Sequence, residues 1–152
     1  MKPLIILSTV ANMEREPNLA ALFAEYAQES ATPELGTPDV QLEMYRQMEA
    51  AGALKILAAY DESATLVGFM VLIVSVVPHF GRCIASTESY FVTKSARGGG
   101  TGIKLLHCAE QLARDLGAVA FFVSSPSNGR LAKVMPRMGY RETNRVFMRG
   151  LT

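Results

Sequence analysis

The sequence predicts an α+β protein built on a mostly antiparallel sheet. Three apolar, β-branched runs, residues 55–60 (KILAAY), 66–76 (LVGFMVLIVSV) and 83–92 (CIASTESYFV), follow one another with only short turn-rich links. Parallel strands need a crossover of a dozen or more residues, so links this short imply antiparallel pairing. Apolar residues at helical spacing stand on both sides of the block, at Leu19, Leu22, Phe23 and Tyr26 before it and from Ile103 to Leu116 after it. A chain of 152 residues suits one domain with one core, here residues 1–152.

Each element has a local reason. Residues 4–8 (LIILS) form a short strand-like run. Pro17 stands where a helix can begin, because its missing N–H costs nothing in a first turn. Residues 29–36 are polar and turn-rich, and Thr37 is placed to cap a second helix with Pro38 at its first position. Val40, Met44 and Met48 make that helix's apolar stripe, and the two methionines read as core. Asp61-Glu62-Ser63 and Gly81-Arg82 separate the three strands, and Pro78 ends the second. Ile103, Leu106, Ala109, Leu112, Ala113 and Leu116 mark a long helix closed by Gly117. Residues 118–123 (AVAFFV) read as a buried strand. Ser127 or Asn128 caps a helix towards Met138, which Pro136 kinks or ends and Gly139 closes. Residues 141–148 (RETNRVFM) read as the last strand.

Composition excludes several classes. The net charge is +1, so no general field draws the chain to nucleic acid or to acidic membranes. Cys83 and Cys108 lack paired-ligand spacing, which argues against a zinc site or disulfide framework and for reduced thiols in the cytoplasm. The opening MKPLIILSTVA holds an apolar run of four residues, short of the roughly 7–15 a signal peptide needs. The apolar stretch at 66–77 is short of the roughly 20 residues that cross a bilayer. The reading is a soluble cytoplasmic protein.

The stretch 96–106, ARGGGTGIKLL, places Gly98, Gly99, Gly100, Thr101 and Gly102 directly before a helical pattern. Glycine disfavours helix by about 1 kcal/mol relative to alanine, so these residues serve something else. A Walker loop fails because Ile103 follows Gly102. A dinucleotide fingerprint fails because its third glycine would fall on Ile103. Two readings stay open: a flexible turn, or a helix N-terminus whose free N–H groups hold an anion with Arg97 as a cationic fork at the edge.

Tyr90-Phe91-Val92, followed by Arg97-Gly98-Gly99-Gly100-Thr101-Gly102, resembles the acyl-CoA loop of GNAT acyltransferases, Arg/Gln-x-x-Gly-x-Gly/Ala. The five-residue step from Val92 to Arg97 matches, and so does the eleven-residue step from Asn128 to Gly139-Tyr140. The stretch from Gly129-Arg130-Leu131 to Tyr140-Arg141-Glu142-Thr143 is also similar to acetyltransferase-like proteins of phages and prophages. The resemblance implies the GNAT fold, a mostly antiparallel mixed sheet splayed at a CoA cleft and flanked by four helices. It implies acetyl-CoA as co-substrate, with no metal. The backbone of Gly98, Gly99, Gly100, Thr101, Gly102 and Ile103 would hold the pyrophosphate, with Arg97 beside it. Phe91 and Val92 would pair with the pantetheine arm, and Asn128 would hydrogen-bond it.

An acceptor amine is protonated at neutral pH, so a base must deprotonate it. Glu88 is the candidate, lying alone among uncharged residues four before Val92, where the family often carries a glutamate. Ser86 shares its face unless a bulge intervenes. The family's thiolate-protonating tyrosine is replaced here by Met135, which leaves Tyr140, Tyr90 and Ser124 as donors. A thiol has a pKa of about 8.5, so its anion leaves tolerably unaided. His107 reads as a surface or interface residue, and His79 as a turn residue that would otherwise edge an acceptor pocket. Arg137, Arg141, Arg145 and Arg149 make a basic segment that reads as a solvated face and would otherwise suit an anionic acceptor. Only 12 residues follow Tyr140, so the acceptor pocket is expected to be open or completed by a second subunit in a homodimer. The function expected is an N-acetyltransferase acting on a small-molecule or protein amine by direct attack in a ternary complex. The alternative is a CoA-binding module of this fold without turnover, and an unrelated nucleotide-binding protein is a third reading.

Overall fold

The computed structural model describes residues 2–152. One open sheet runs in the order β1-β2-β3-β4-β5, with β1 at Leu4–Ser8, β2 at Leu54–Tyr60, β3 at Leu66–Val77, β4 at Arg82–Val92 and β5 at Phe121–Phe122. The first four strands pair antiparallel, and β5 pairs parallel to β4. The crossover that a parallel pair needs is supplied by α4, Thr101–Asp115. This is the open, mixed, five-stranded α+β architecture of the GNAT fold.

Helices cover both faces. On one side α1 (Val10–Glu14), α2 (Leu19–Ser30) and α3 (Leu42–Ala50) enclose a core of Val10, Met13 and Leu22 against Ile56, Phe69, Val71 and Phe91. On the other, Leu105, Leu106, Ala109 and Ala113 of α4 pack on Leu57, Met70, Leu72 and Val92, joined by Met135 just after α5 (Arg130–Val134). Two covered faces explain why 66–74 is apolar throughout rather than alternating.

Gly68 lies where β3 meets the end of β4. A Cβ there would stand 2.8 Å from the Phe91 carbonyl oxygen and 3.1 Å from Val92 Cγ2. Backbone cannot swing aside as a side chain does, so Gly68→Ala is expected to destabilise the fold by about 1–3 kcal/mol, read as a lowered melting temperature.

Several elements depart from expectation. The helix expected at Thr37-Pro38 begins at Leu42, because a Thr32–Gly36 bridge and the Gln41 amide on Asp39 hold the preceding loop out of helix. The short helix α1 has no counterpart in the sequence reading; Thr9 caps it by accepting from the Asn12 N–H at 3.1 Å. The strand expected at 118–123 is ordered as β5 only at Phe121–Phe122, and it is not buried, with Phe122 41% exposed. The last strand expected at 141–148 is absent, and residues 141–152 are exposed coil. A strand needs a neighbour's unpaired ladder, and a two-residue β5 offers almost none. Neither Ser127 nor Asn128 caps α5; the cap is Gly129, with no side-chain bond.

Among the described residues no helix is long and apolar enough to cross a membrane.

Candidate active site

The site is a consequence of strand lengths. β4 contacts β5 only at Ala85–Phe121 and Ser86–Phe122, and the Ser124 N–H then donates to Thr87 Oγ1 at 3.0 Å. Beyond that point β4 continues to Val92 with its β5-facing edge open, and the two strands splay as the resemblance implies. The Thr93 N–H donates to the Val67 carbonyl at 2.9 Å, on the β3 side. Backbone direction alternates along a strand, so Phe91 also faces β3 while Tyr90 and Val92 face the open edge. Phe91 was expected on that edge; its backbone instead pairs with Phe69, and its ring packs against Tyr26 and Phe69 in the core. The Val92 carbonyl is taken by Arg97 Nε at 2.7 Å.

The glycine loop is a 3₁₀ turn over Lys94–Gly99 that leads into α4. Its glycines have different reasons. Gly100 has φ 80°, a left-handed conformation that side chains resist. At Gly102 a Cβ would approach Tyr90 Oη at 3.0 Å, and that hydroxyl donates to the Gly102 carbonyl at 2.5 Å. Gly98 and Gly99 lack positive φ, and a Cβ added to either would meet no atom within 4 Å. Nothing inside the chain requires them to lack side chains, and they line open space at the helix entrance. The first bond of α4 runs from the Lys104 N–H to the Gly100 carbonyl at 3.0 Å, so the N–H groups of Thr101, Gly102 and Ile103 have no helical acceptor.

Arg97 does not present the phosphate-edge fork expected of it. Its Nη2 is held by both oxygens of Glu29, at 2.9 and 2.8 Å, and its guanidinium lies 5.4 Å over the Phe91 ring. A carboxylate in reach outcompetes solvent for the cation, so Arg97 ties the loop to α2. Glu25, one turn earlier, accepts from Thr93 Oγ1 at 2.6 Å and from the Lys94 N–H at 2.8 Å, and these bonds hold its carboxyl below the usual range. Two glutamates at i, i+4 on α2 thus grip the two ends of the turn, a clamp the sequence reading missed although the spacing is visible in it.

Glu88 owes its position to a bulge. Val71 pairs with Ser89 and Leu72 with Thr87, so Glu88 has no opposite number and is turned out of the sheet. The bulge also breaks the shared face proposed for Ser86 and Glu88. The Glu88 side chain is exposed, and its Oε1 accepts from Tyr45 Oη at 2.7 Å, which leaves Oε2 without a partner among the described residues. Burial, followed by the bond to Glu88, raises the Tyr45 pKa far above that of a free phenol, so it stays a donor at any working pH. Tyr45 was not foreseen; it lies beside Met44 on α3, off the apolar stripe. Glu88 opens into a cleft of ≈ 420 Å³ whose wall includes Tyr26, Asp39, Met44, Tyr45 and Met48. Met44, read as core, is 61% exposed there because the face of α3 that packs inwards carries Leu42, Tyr45 and Met48.

The hydroxyl donors sort themselves. Met135 is 7% exposed and part of the core. Tyr140 Oη donates to Glu110 Oε1 at 2.6 Å, and Tyr90 is committed to Gly102. Ser124, exposed at the end of β5, keeps a free hydroxyl among the described residues. Asn128 sits four residues beyond it, exposed, with φ 61° and no side-chain partner among the described residues. His107, His79 and all four of Arg137, Arg141, Arg145 and Arg149 are exposed, and none lines the cleft.

Burial raises the pKa of Tyr90 to about 12, and burial with the bond to Glu16 raises that of Tyr60 to about 12. Above pH 10 the unfolded chain releases these protons and the folded chain keeps them, so their contribution is complete below pH 10 and is lost as pH rises through 12. The melting temperature is expected to fall across that interval, and less steeply in Tyr90→Phe.

A family model described as "Acetyltransferase (GNAT) family" matches residues 19–140. The chain belongs to this family. Acetyl transfer is therefore its class of chemistry. Its fold is similar to that of the ribosomal-protein-alanine N-acetyltransferase of Brucella melitensis biovar Abortus 2308, at 17% identity over 97% of this chain and 98% of that one, with a TM-score of 0.73. It is similar to an acetyltransferase of Trypanosoma brucei, at 16% identity over 99% and 100% of the two chains, TM-score 0.72. It is also similar to an aminoglycoside acetyltransferase from an uncultured soil metagenomic sample in complex with sisomicin, at 19% identity over 99% and 97%, TM-score 0.74. No curated sequence matches this chain. At these identities the structural likenesses establish the fold of this GNAT chain and leave its acceptor to be argued from its own cleft.

Proposed function

We propose that this chain is an acetyl-CoA-dependent N-acetyltransferase in which an amine attacks directly within a ternary complex. One observation carries the reading: a single strand, β4, holds a half-free carboxylate at its bulge and leads through the glycine loop to a helix entrance where the N–H groups of Thr101, Gly102 and Ile103 have no helical acceptor. Backbone donors at a helix entrance suit a diphosphate. The N–H groups of Gly98, Gly99, Gly100, Thr101, Gly102 and Ile103 would hold it, Val92 would meet the pantetheine arm at the open edge, and Asn128 would bond that arm from across the cleft. Bound acetyl-CoA supplies the acetyl group: the nitrogen–carbon bond forms, the carbon–sulfur bond breaks, and the thiol leaves.

Glu88 Oε2 takes the proton that an ammonium acceptor must lose before its nitrogen can attack. Tyr45 holds the other carboxylate oxygen, so the base faces the cleft in one orientation. The sulfur leaves as a thiolate, which its pKa of about 8.5 allows, and takes its proton from solvent; Ser124, whose hydroxyl has no partner among the described residues, would donate a hydrogen bond to it. We place the protein in the cytoplasm, acting on an amine as a single domain.

The test is direct. CoA at 100 times its Kd should raise stability by about 2.7 kcal/mol, and an amine panel with acetyl-CoA should release free thiol. Stabilisation with no thiol released from any amine would instead establish the CoA-binding module, which the loss of the family tyrosine to Met135 favours. Stabilisation by ATP or NAD and not by CoA would end both readings.

A further inference from the structure

The acceptor cleft has a one-sided chemistry. Its wall carries two carboxylates, Glu88 and Asp39, and no lysine, arginine or histidine. The basic residues of the C-terminal segment lie elsewhere. Each carboxylate has one oxygen committed and one free among the described residues: Glu88 Oε1 accepts from Tyr45, and Asp39 Oδ2 accepts from Gln41 Nε2 at 3.0 Å. Apart from Gln41, the rest of the wall is apolar and aromatic, with Tyr26, Met44, Tyr45 and Met48 among its residues.

We propose that this cleft selects a small diamine: one ammonium at Glu88, an apolar chain along the tyrosines and methionines, a second ammonium at Asp39, and no carboxylate. The inference rests on the acetyltransferase reading and specifies its acceptor. A volume of ≈ 420 Å³ is within the usual range for a small-molecule site, roughly 300–1,000 Å³. Methylene chains pack well on thioethers and aromatic faces, and an ammonium above a tyrosine ring gains cation–π attraction. A carboxylate on the ligand would enter a cleft with two negative charges and no cation to pair with. Such like-charge placement is how a site rejects a near-isostere. An α-amino acid therefore binds worse than its decarboxylated counterpart, and a monoamine loses the Asp39 contact.

Three ligands that differ by one group each make the test: cadaverine, L-lysine (cadaverine plus a carboxylate) and pentylamine (cadaverine minus one amine). Calorimetry on protein saturated with CoA measures their affinities, and thiol release from acetyl-CoA measures their turnover. Cadaverine is expected to bind about tenfold tighter than either, one such step being about 1.4 kcal/mol. In Asp39→Asn, which still accepts from Gln41, the cadaverine Kd is expected to rise to that of pentylamine. Lysine binding as tightly as cadaverine, a cadaverine preference that survives Asp39→Asn, or a tripeptide amide binding more tightly than cadaverine would each overturn the proposal while leaving acetyl transfer intact. Cadaverine preferred in calorimetry without thiol release would support the cleft chemistry and end the transferase reading.

Discussion

Glu88→Gln lowers kcat for acetyl transfer by about 10²–10⁴-fold, the range for loss of a positioned general base. Glutamine has the same shape and still accepts from Tyr45 Oη through its amide oxygen, so the contact at 2.7 Å survives. What it cannot do is take a proton. The position is exposed and lies at a bulge outside both cores, so the melting temperature should move by no more than a surface change does, about 0.5 kcal/mol. CoA affinity should be unchanged, because the loop proposed to hold the diphosphate lies beyond the other end of the open edge. Steady-state kinetics with calorimetry for CoA separate these quantities. A kcat within about threefold of the native value would remove Glu88 from the base role.

Gly98→Val and Gly99→Val weaken CoA binding by about 100-fold or more, through the lost backbone approach that a phosphate requires. These substitutions are clean because the chain itself tolerates them: neither position has positive φ, and the space around each is open. Thermal unfolding without ligand should therefore match the native protein. Gly100→Ala and Gly102→Ala behave differently. The first is strained by φ 80° and the second crowds Tyr90 Oη at 3.0 Å, so both are expected to lower stability before any ligand is added. Valine variants at 98 and 99 that bind CoA normally would place the diphosphate elsewhere and dismantle the functional reading.

Much of this was legible beforehand because it depends on short-range pattern. The β2, β3 and β4 runs announced themselves through composition and short links, and the sheet formed as those links require. α4 followed from apolar spacing and ended at Gly117, whose φ is 83°. The glycine loop and Glu88 stood out as residues that contradict their surroundings, a mark of function more often than of folding.

The remainder needed contacts between residues distant in sequence. Tyr45 reaches Glu88 across 43 positions, and Glu29 reaches Arg97 across 68. Arg97 looked like a phosphate fork because nothing local revealed its acidic neighbour. The segment 141–148 has strand-like composition yet forms none, because pairing depends on an available edge rather than on propensity.

By itself the sequence determined the run of elements from β2 to α4, the antiparallel core of the sheet and the place of the loop, since each follows from spacing, turn chemistry or glycine within a few residues. Tertiary structure alone decided which way Glu88 points, what holds Arg97, where the cleft lies and that its charge is negative. Those properties arise from register and from side chains brought together by packing, and a one-residue bulge redirects a carboxylate that no local pattern could have oriented.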